Sequence, residues 1–208
     1  MIGIENLTVA FDGQTVLQNC SLTVSAGQHV ALMGASGSGK TTLINVIAGL
    51  VKPDSGTVTV KDKVSYVFQE PALFPWLTAL ENVNVVLSDG PSTLSQAEAW
   101  LREAGLAEHL HKYPHQLSGG QKQRVALCRA LAYGGEILLL DEPLKGLDAD
   151  TRERVVALLR RECADKTLLL VTHDPQEAAL LCDTVLQYKD GQFIEEKADA
   201  NASAFFIL

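Results

Sequence analysis

The run Gly34-Ala35-Ser36-Gly37-Ser38-Gly39-Lys40-Thr41-Thr42 has the residue types that a nucleoside triphosphate requires. It matches G-x-x-x-x-G-K-[ST], in which glycines let backbone N–H groups close on phosphate oxygens without a Cβ between them. Lys40 has the reach to meet the β- and γ-phosphates, and the Thr41 hydroxyl can ligate Mg²⁺. A Gly/Ser linker ending in Lys-Thr would look similar in isolation. Here Gln28–Met33 reads as a buried strand, and Leu43–Leu50 as a helix whose N-terminus points at the same anion. The flanks are those the motif demands, so the chain carries a nucleotide site.

A second stretch has the same physical logic. In Leu117-Ser118-Gly119-Gly120-Gln121, Ser118 and Gln121 form a capping box that opens a helix through Tyr133, closed by Gly134-Gly135. Two glycines are poor helix formers. They make sense if an anion must approach the backbone there. One nucleotide needs one such site, so a second suggests two copies sharing nucleotides across a dimer.

Other residues could join this chemistry. Glu136–Asp141 reads as a buried parallel strand ending in the carboxylates Asp141 and Glu142. Thr167–Thr172 reads as another, with His173 at its end, where α/β ligands gather, followed by a helix with Pro175 in first position. Gln69 ends the strand Val64–Phe68 just before Pro71, as either a loop glutamine or a residue that moves with ligand. Phe11, beside the Asp12-Gly13 turn, is a loop anchor or a plate for a nucleobase. His109, His111 and His115 lie close together, but His109 and His111 do not share a helix face and no acid or thiol is spaced to complete a metal set.

The elements that must position these groups alternate. Residues 2–10 and 14–24 form a hairpin, and a turn at 52–56 leads to the strand 57–61, from which Asp62-Lys63 returns the chain through Val64–Phe68. Residues 71–117 change character. Thr78/Glu81 caps a helix to about Leu87, Ser88–Ser92 is a loop, Ser95/Glu98 caps a second helix to about Ala104, and a short third runs to about His111. A helix from about Asp150 to Cys163 precedes the 167–172 strand, and Thr184–Tyr188 and Gln192–Glu196 make a last hairpin around Asp190-Gly191. The expected fold is α/β, a P-loop NTPase core with an N-terminal antiparallel β-subdomain and a helical insertion at about 71–117, all in one domain over residues 1–208.

Composition narrows the partners. A net charge of −8 argues against nucleic acid as a partner. Cys20, Cys128, Cys163 and Cys182 have neither C-x-x-C nor zinc spacing and read as reduced packing residues. Residues 1–5 lack the basic and apolar regions of a secretion signal, and no run is long enough to cross a bilayer, so any membrane connection comes through a partner.

Taken together, the Gly34–Thr42 loop, Leu117–Gln121 and Glu136–Pro143, in that order, resemble the ATP-binding subunits of ABC transporters, over nearly the whole chain. The resemblance implies that Asp141 holds Mg²⁺, usually through water, and that Glu142 orients and deprotonates the attacking water. It implies that His173 contacts the γ-phosphate, that Gln69 senses Mg²⁺ and the membrane partner, and that Phe11 stacks on adenine. Asp148 would couple the two sites of a head-to-tail homodimer, in which Ser118, Gly119, Gly120 and Gln121 of one copy meet the ATP of the other. Permease subunits, and through them a solute-binding protein, would be partners at the cytoplasmic face of the membrane.

The stretch Val67–Val83 resembles the nitrate/sulfonate/taurine-type importers, where it faces a permease helix, and Phe74, Trp76 and Leu77 are candidates for the docking groove; plain core packing is the alternative. Lys145-Gly146 departs from the family, which has a small residue and then alanine there, and the segment between Gly56 and Gln69 is shorter than usual. The chain leaves no room for an added regulatory domain, and its apolar end, Ala204–Leu208, is expected to pack on the body or a partner. The rival readings are a non-transport ABC ATPase, an exporter subunit and a nucleotide-gated binding module with negligible turnover.

Overall fold

The computed structural model describes residues 1–87, 93–189 and 192–196. The loop expected at Ser88–Ser92, the Asp190-Gly191 turn and the apolar end at 204–208 lie outside the described residues.

Two sheets organise the chain. Strands β1 (Ile2–Phe11), β2 (Gln14–Val24) and β4 (Ser55–Val60) form an antiparallel sheet in the order β2-β1-β4. The second sheet has the order β5-β6-β7-β3-β8-β9, with β3 (His29–Met33), β5 (Val64–Val67), β6 (Ile137–Asp141), β7 (Thr167–Val171) and β8 (Thr184–Lys189) parallel. Only β9 (Gln192–Glu196) is antiparallel, paired with β8. The strands β6 and β7 are buried along their full length, as apolar runs with both faces covered must be. One apolar core, built on Ile2, Ile4, Leu43, Ile44 and Leu169, lies between the two sheets around helix α1 (Lys40–Ile47). The other lies on the opposite face, where Leu138, Leu140 and Leu170 meet α2 (Ala79–Asn84), α3 (Thr93–Glu103), α4 (Gly119–Tyr133), α5 (Ala149–Cys163) and α6 (Pro175–Leu181).

Most boundaries fall where capping chemistry put them, and the differences have physical causes. The turn at 61–63 does not fold β5 back on β4; the two strands belong to different sheets, because β4 pairs with β1 and β5 with β6. Helix α1 starts at Lys40 rather than Leu43, since Gly39 in a left-handed conformation supplies its cap, and it ends at Ile47 before Gly49. Thr78/Glu81 and Ser118/Gln121 are both complete capping boxes. Ser95 is not a cap; α3 already begins at Thr93, which places Ser95 inside the helix. Helix α2 stops at Asn84, short of Leu87, and the third helical segment is a single 3₁₀ turn at Ala107–His109. All four cysteines are buried and free.

Candidate nucleotide site

The parallel strands deliver their C-terminal ends to one place, the edge where α/β proteins bind ligands. The loop after β3 carries Gly34–Gly39, β5 leads to Gln69, β6 ends in Asp141 and Glu142, and β7 leads to His173. Lys40, Thr41, Gln69, Asp141, Glu142 and His173 line a cavity of about 480 Å³. Gly34, Ser36, Gly37, Gly39 and Thr42 also line it, while Ala35 and Ser38 enter through the loop's internal bonds. Gly39 is required here: its φ is +95°, and a Cβ would sit 2.8 Å from the Leu17 side chain.

Lys40 Nζ lies inside the loop, donating to the carbonyls of Gly34 at 3.0 Å and Ala35 at 2.7 Å and to Ser38 Oγ at 3.1 Å. Burial lowers its pKa, against the attraction of Asp141 and Glu142. The Thr41 hydroxyl donates to Asp141 Oδ2 at 2.8 Å. Asp141 is 1% exposed, and burial raises its pKa despite that hydrogen bond. A hydroxyl and a buried carboxylate side by side are hard oxygen donors, and one carboxylate completed by phosphate oxygens and waters is the usual Mg²⁺ environment. These residues fit the ion.

Glu142 follows with φ +48°, a conformation that a non-glycine residue holds only when its surroundings impose it. Its N–H donates to the Val171 carbonyl at 2.9 Å, tying the end of β6 to β7. Its carboxylate is held from three sides, by His173 Nδ1 at 3.1 Å on Oε1 and by Lys145 Nζ at 2.8 Å and Gln69 Nε2 at 3.3 Å on Oε2. Burial alone would raise its pKa, but the bonds from Lys145 and His173 hold it below the ordinary carboxylate value. Lys145 is raised in turn by Glu142.

The remaining candidates stand elsewhere. Ser118, Gly119, Gly120, Gln121, Asp148 and Phe11 are absent from the cavity lining. Ser118 caps α4, and Asp148 caps α5, its Oδ1 accepting from the Thr151 N–H at 3.0 Å. Phe11 ends β1 and is 46% exposed. The two glycines of α4 differ: a Cβ on Gly119 would meet nothing, while one on Gly120 would lie 3.1 Å from the Gly146 carbonyl. Gly120 thus already has a packing reason within its own chain. Trp76 is 69% exposed and Phe74 39%, which overturns core packing as the reason for both.

Sequence reasoning missed four supports. Val16 lines the cavity from β2 with no chemical signal of its own. Lys145 stood out only as a departure from a family pattern, yet it reaches into the cavity. Asn82, wholly buried, donates to the carbonyls of Phe74, Leu77 and Thr78 and accepts from the Phe74 N–H at 2.8 Å. Arg129 adds a bond to the Ala72 carbonyl at 2.7 Å. The loop bearing Trp76 is therefore braced, a role that a single asparagine in a helix does not announce.

Comparison with known proteins now decides the family. A model described as "ABC transporter" matches residues 17–145, well over half of the chain. The chain belongs to the ABC transporter family. The cassette is 44% identical over 201 residues to the aliphatic sulfonates import ATP-binding protein SsuB of Delftia acidovorans, covering 95% of this chain and 83% of that one. It is 47% identical over 192 residues to SsuB 1 of Pseudomonas fluorescens, covering 91% and 74%. The dimeric, post-hydrolysis structure of the ATP-binding cassette MJ0796 bound to ADP and Pi superposes with a TM-score of 0.89 at 34% identity, over 96% of this chain and all of that one. The α/β architecture is thus that of an ATP-binding cassette.

Proposed function

We propose that this cassette is the ATP-hydrolysing subunit of an ABC importer of the sulfonate type, working as a head-to-tail homodimer beneath a permease. The observation that carries the reading is the cavity that unites Lys40, Thr41, Gln69, Asp141, Glu142 and His173 at the ends of four parallel strands. Similarity to sulfonate-import ATP-binding proteins over most of the chain supports the importer assignment. Residues 1–208 form one ATPase domain in this reading, with 71–117 as its helical subdomain.

Each residue has a role. Loop N–H groups and Lys40 bind the phosphates of ATP, and Phe11 stacks on its adenine. Thr41 and Asp141, with Gln69, would hold Mg²⁺, which supplies charge neutralisation to the phosphates when bound. Glu142 accepts the proton of the attacking water. His173, placed by its bond to Glu142, meets the γ-phosphate. The second copy brings Ser118, Gly119, Gly120 and Gln121 to the same phosphate, with Asp148 coupling the two sites. Loss of the γ-phosphate then removes the bridge and lets the dimer reopen.

The braced loop at 74–77, with Phe74 and Trp76 exposed and Leu77 half-buried, would be the permease contact. The cassette would sit on the cytoplasmic face, peripheral through the permease, with a solute-binding protein serving the complex on the other side. Among the described residues no helix is long and apolar enough to cross a membrane. Purifying Glu142→Gln with ATP from the host's membranes tests this: a permease and its binding protein should come along. Co-purification of ribosomes or DNA-repair proteins instead would contradict the transporter reading.

A further inference from the structure

The N-terminus of α4 is set by a chain of hydrogen bonds that extends beyond its capping box. Gln121 Oε1 accepts from the Ser118 N–H at 2.9 Å, and the Gln121 N–H donates to Ser118 Oγ at 3.3 Å. That fixes the amide's orientation, because a flipped amide would set an NH₂ against the Ser118 N–H. Gln121 Nε2 must therefore face outward, and it lies 2.6 Å from His109 Nε2. An NH₂ group can only donate, so His109 Nε2 is the acceptor and the ring's proton sits on Nδ1. Nδ1 is itself buried and has no partner.

We propose that His109 is a positioning residue for the phosphate-facing turn Ser118–Gln121, and that its neutral ring is the working form. Protonation would place an N–H on Nε2, donor against donor, and Gln121 could keep its bond to Ser118 only by moving away. The cap that aims the Ser118 hydroxyl and the first amides of α4 would then loosen. The charged groups around the ring come from every neighbouring element. Arg102 of α3, Glu108 beside it and Arg154 of α5 line the same 270 Å³ cavity, and Arg124 of α4 reaches the Ala104 and Gly105 carbonyls at its edge. His109 touches none of the cavity that holds Lys40 and Glu142, so its effect is confined to what α4 offers a partner copy. The inference rests on the dimer reading above.

The test follows ATP-driven dimerisation of the Glu142→Gln protein by sedimentation, between about pH 8 and pH 5, with His109, His109→Gln and His109→Phe. Glutamine presents an acceptor that does not titrate; phenylalanine presents none. The His109 protein should lose dimer affinity roughly tenfold toward the acid end. His109→Gln should stay flat, and His109→Phe should be weak throughout. ATP affinity of the monomer, measured in parallel, should not distinguish the three. Equal acid slopes for His109 and His109→Gln, or a tight dimer with His109→Phe, would overturn the proposal. A protein that forms no ATP-dependent dimer at any pH overturns the dimer reading and this inference with it, whereas a dimer indifferent to pH overturns this inference alone.

Discussion

The phosphate loop and the start of α4 are both glycine-rich helix N-termini, yet the fold treats them differently. The first opens into a cavity already furnished with two lysines, two carboxylates and a histidine. The second is finished as a piece of local structure, capped by Ser118, tied to His109 and packed on Gly146, but it lines no part of that cavity. On the dimer reading proposed above, one copy builds one half of a site in full and offers the other half, the start of α4, to a partner copy.

The largest effects should come from the furnished half. Glu142→Gln keeps shape and removes the base, so turnover should fall by about 10²- to 10⁴-fold with ATP still bound. Lys40→Ala should weaken ATP affinity roughly tenfold to a hundredfold, the worth of a charge-assisted hydrogen bond. Equilibrium binding and phosphate release separate the two, and if Glu142→Gln hydrolysed ATP normally the cavity would not be the catalytic one.

The next sharpens the contrast. Gly119 has open space for a side chain, and a carboxylate in the first turn suits the helix dipole. Gly119→Asp should therefore fold at least as stably as the parent and bind ATP as a monomer with unchanged affinity. It should nevertheless lose most turnover, because the carboxylate repels a phosphate brought by the partner. Normal turnover would show that no anion visits this helix.

Trp76→Ala should leave melting temperature and isolated ATPase activity alone while weakening permease binding by roughly tenfold or more, as expected for an exposed aromatic anchor. Pull-down with the permease measures it, and undiminished capture would remove the docking assignment.

The smallest effect lies beneath His173. Glu177 is buried, accepts from Thr172 Oγ1 at 2.7 Å, and leaves Oε1 without a partner. Burial, helped by Asp174, raises its pKa above the unfolded value. Such a group's stabilisation is complete below the unfolded pKa and is lost as pH rises through the folded one. Glu177→Gln should thus melt roughly 2–4 °C higher at neutral pH, and the advantage should vanish in acid. A constant gap across pH would mean that charge is not its cause.

Much of this was legible because local chemistry dictated it. The capping boxes at Thr78 and Ser118 place helices whatever surrounds them, and the apolar runs at 137–141 and 167–171 can only be strands covered on both faces. The loop from Gly34 to Thr42 announces its ligand through residue types alone. What stayed hidden depends on distant partners. The chain between β4 and β5 looks like a hairpin until β1 and β6 claim the two strands. The Arg129–Ala72 bond and the His109–Gln121 bond join segments that no periodicity relates, and the Lys145–Glu142 pair, though only three residues apart, depends on a turn fixed by the pairing of β6 with β7. Ser95 looked like a cap because spacing alone cannot see a helix that starts two residues earlier.

Sedimentation of the Glu142→Gln protein with and without ATP, beside Glu142→Gln/Gly119→Asp, tests the central claim most directly. ATP should convert the first from monomer to dimer, while the second should bind ATP and stay monomeric. A dimer that forms equally well with Gly119→Asp, or one that needs no ATP, would contradict the claim that the start of α4 completes a partner's nucleotide site.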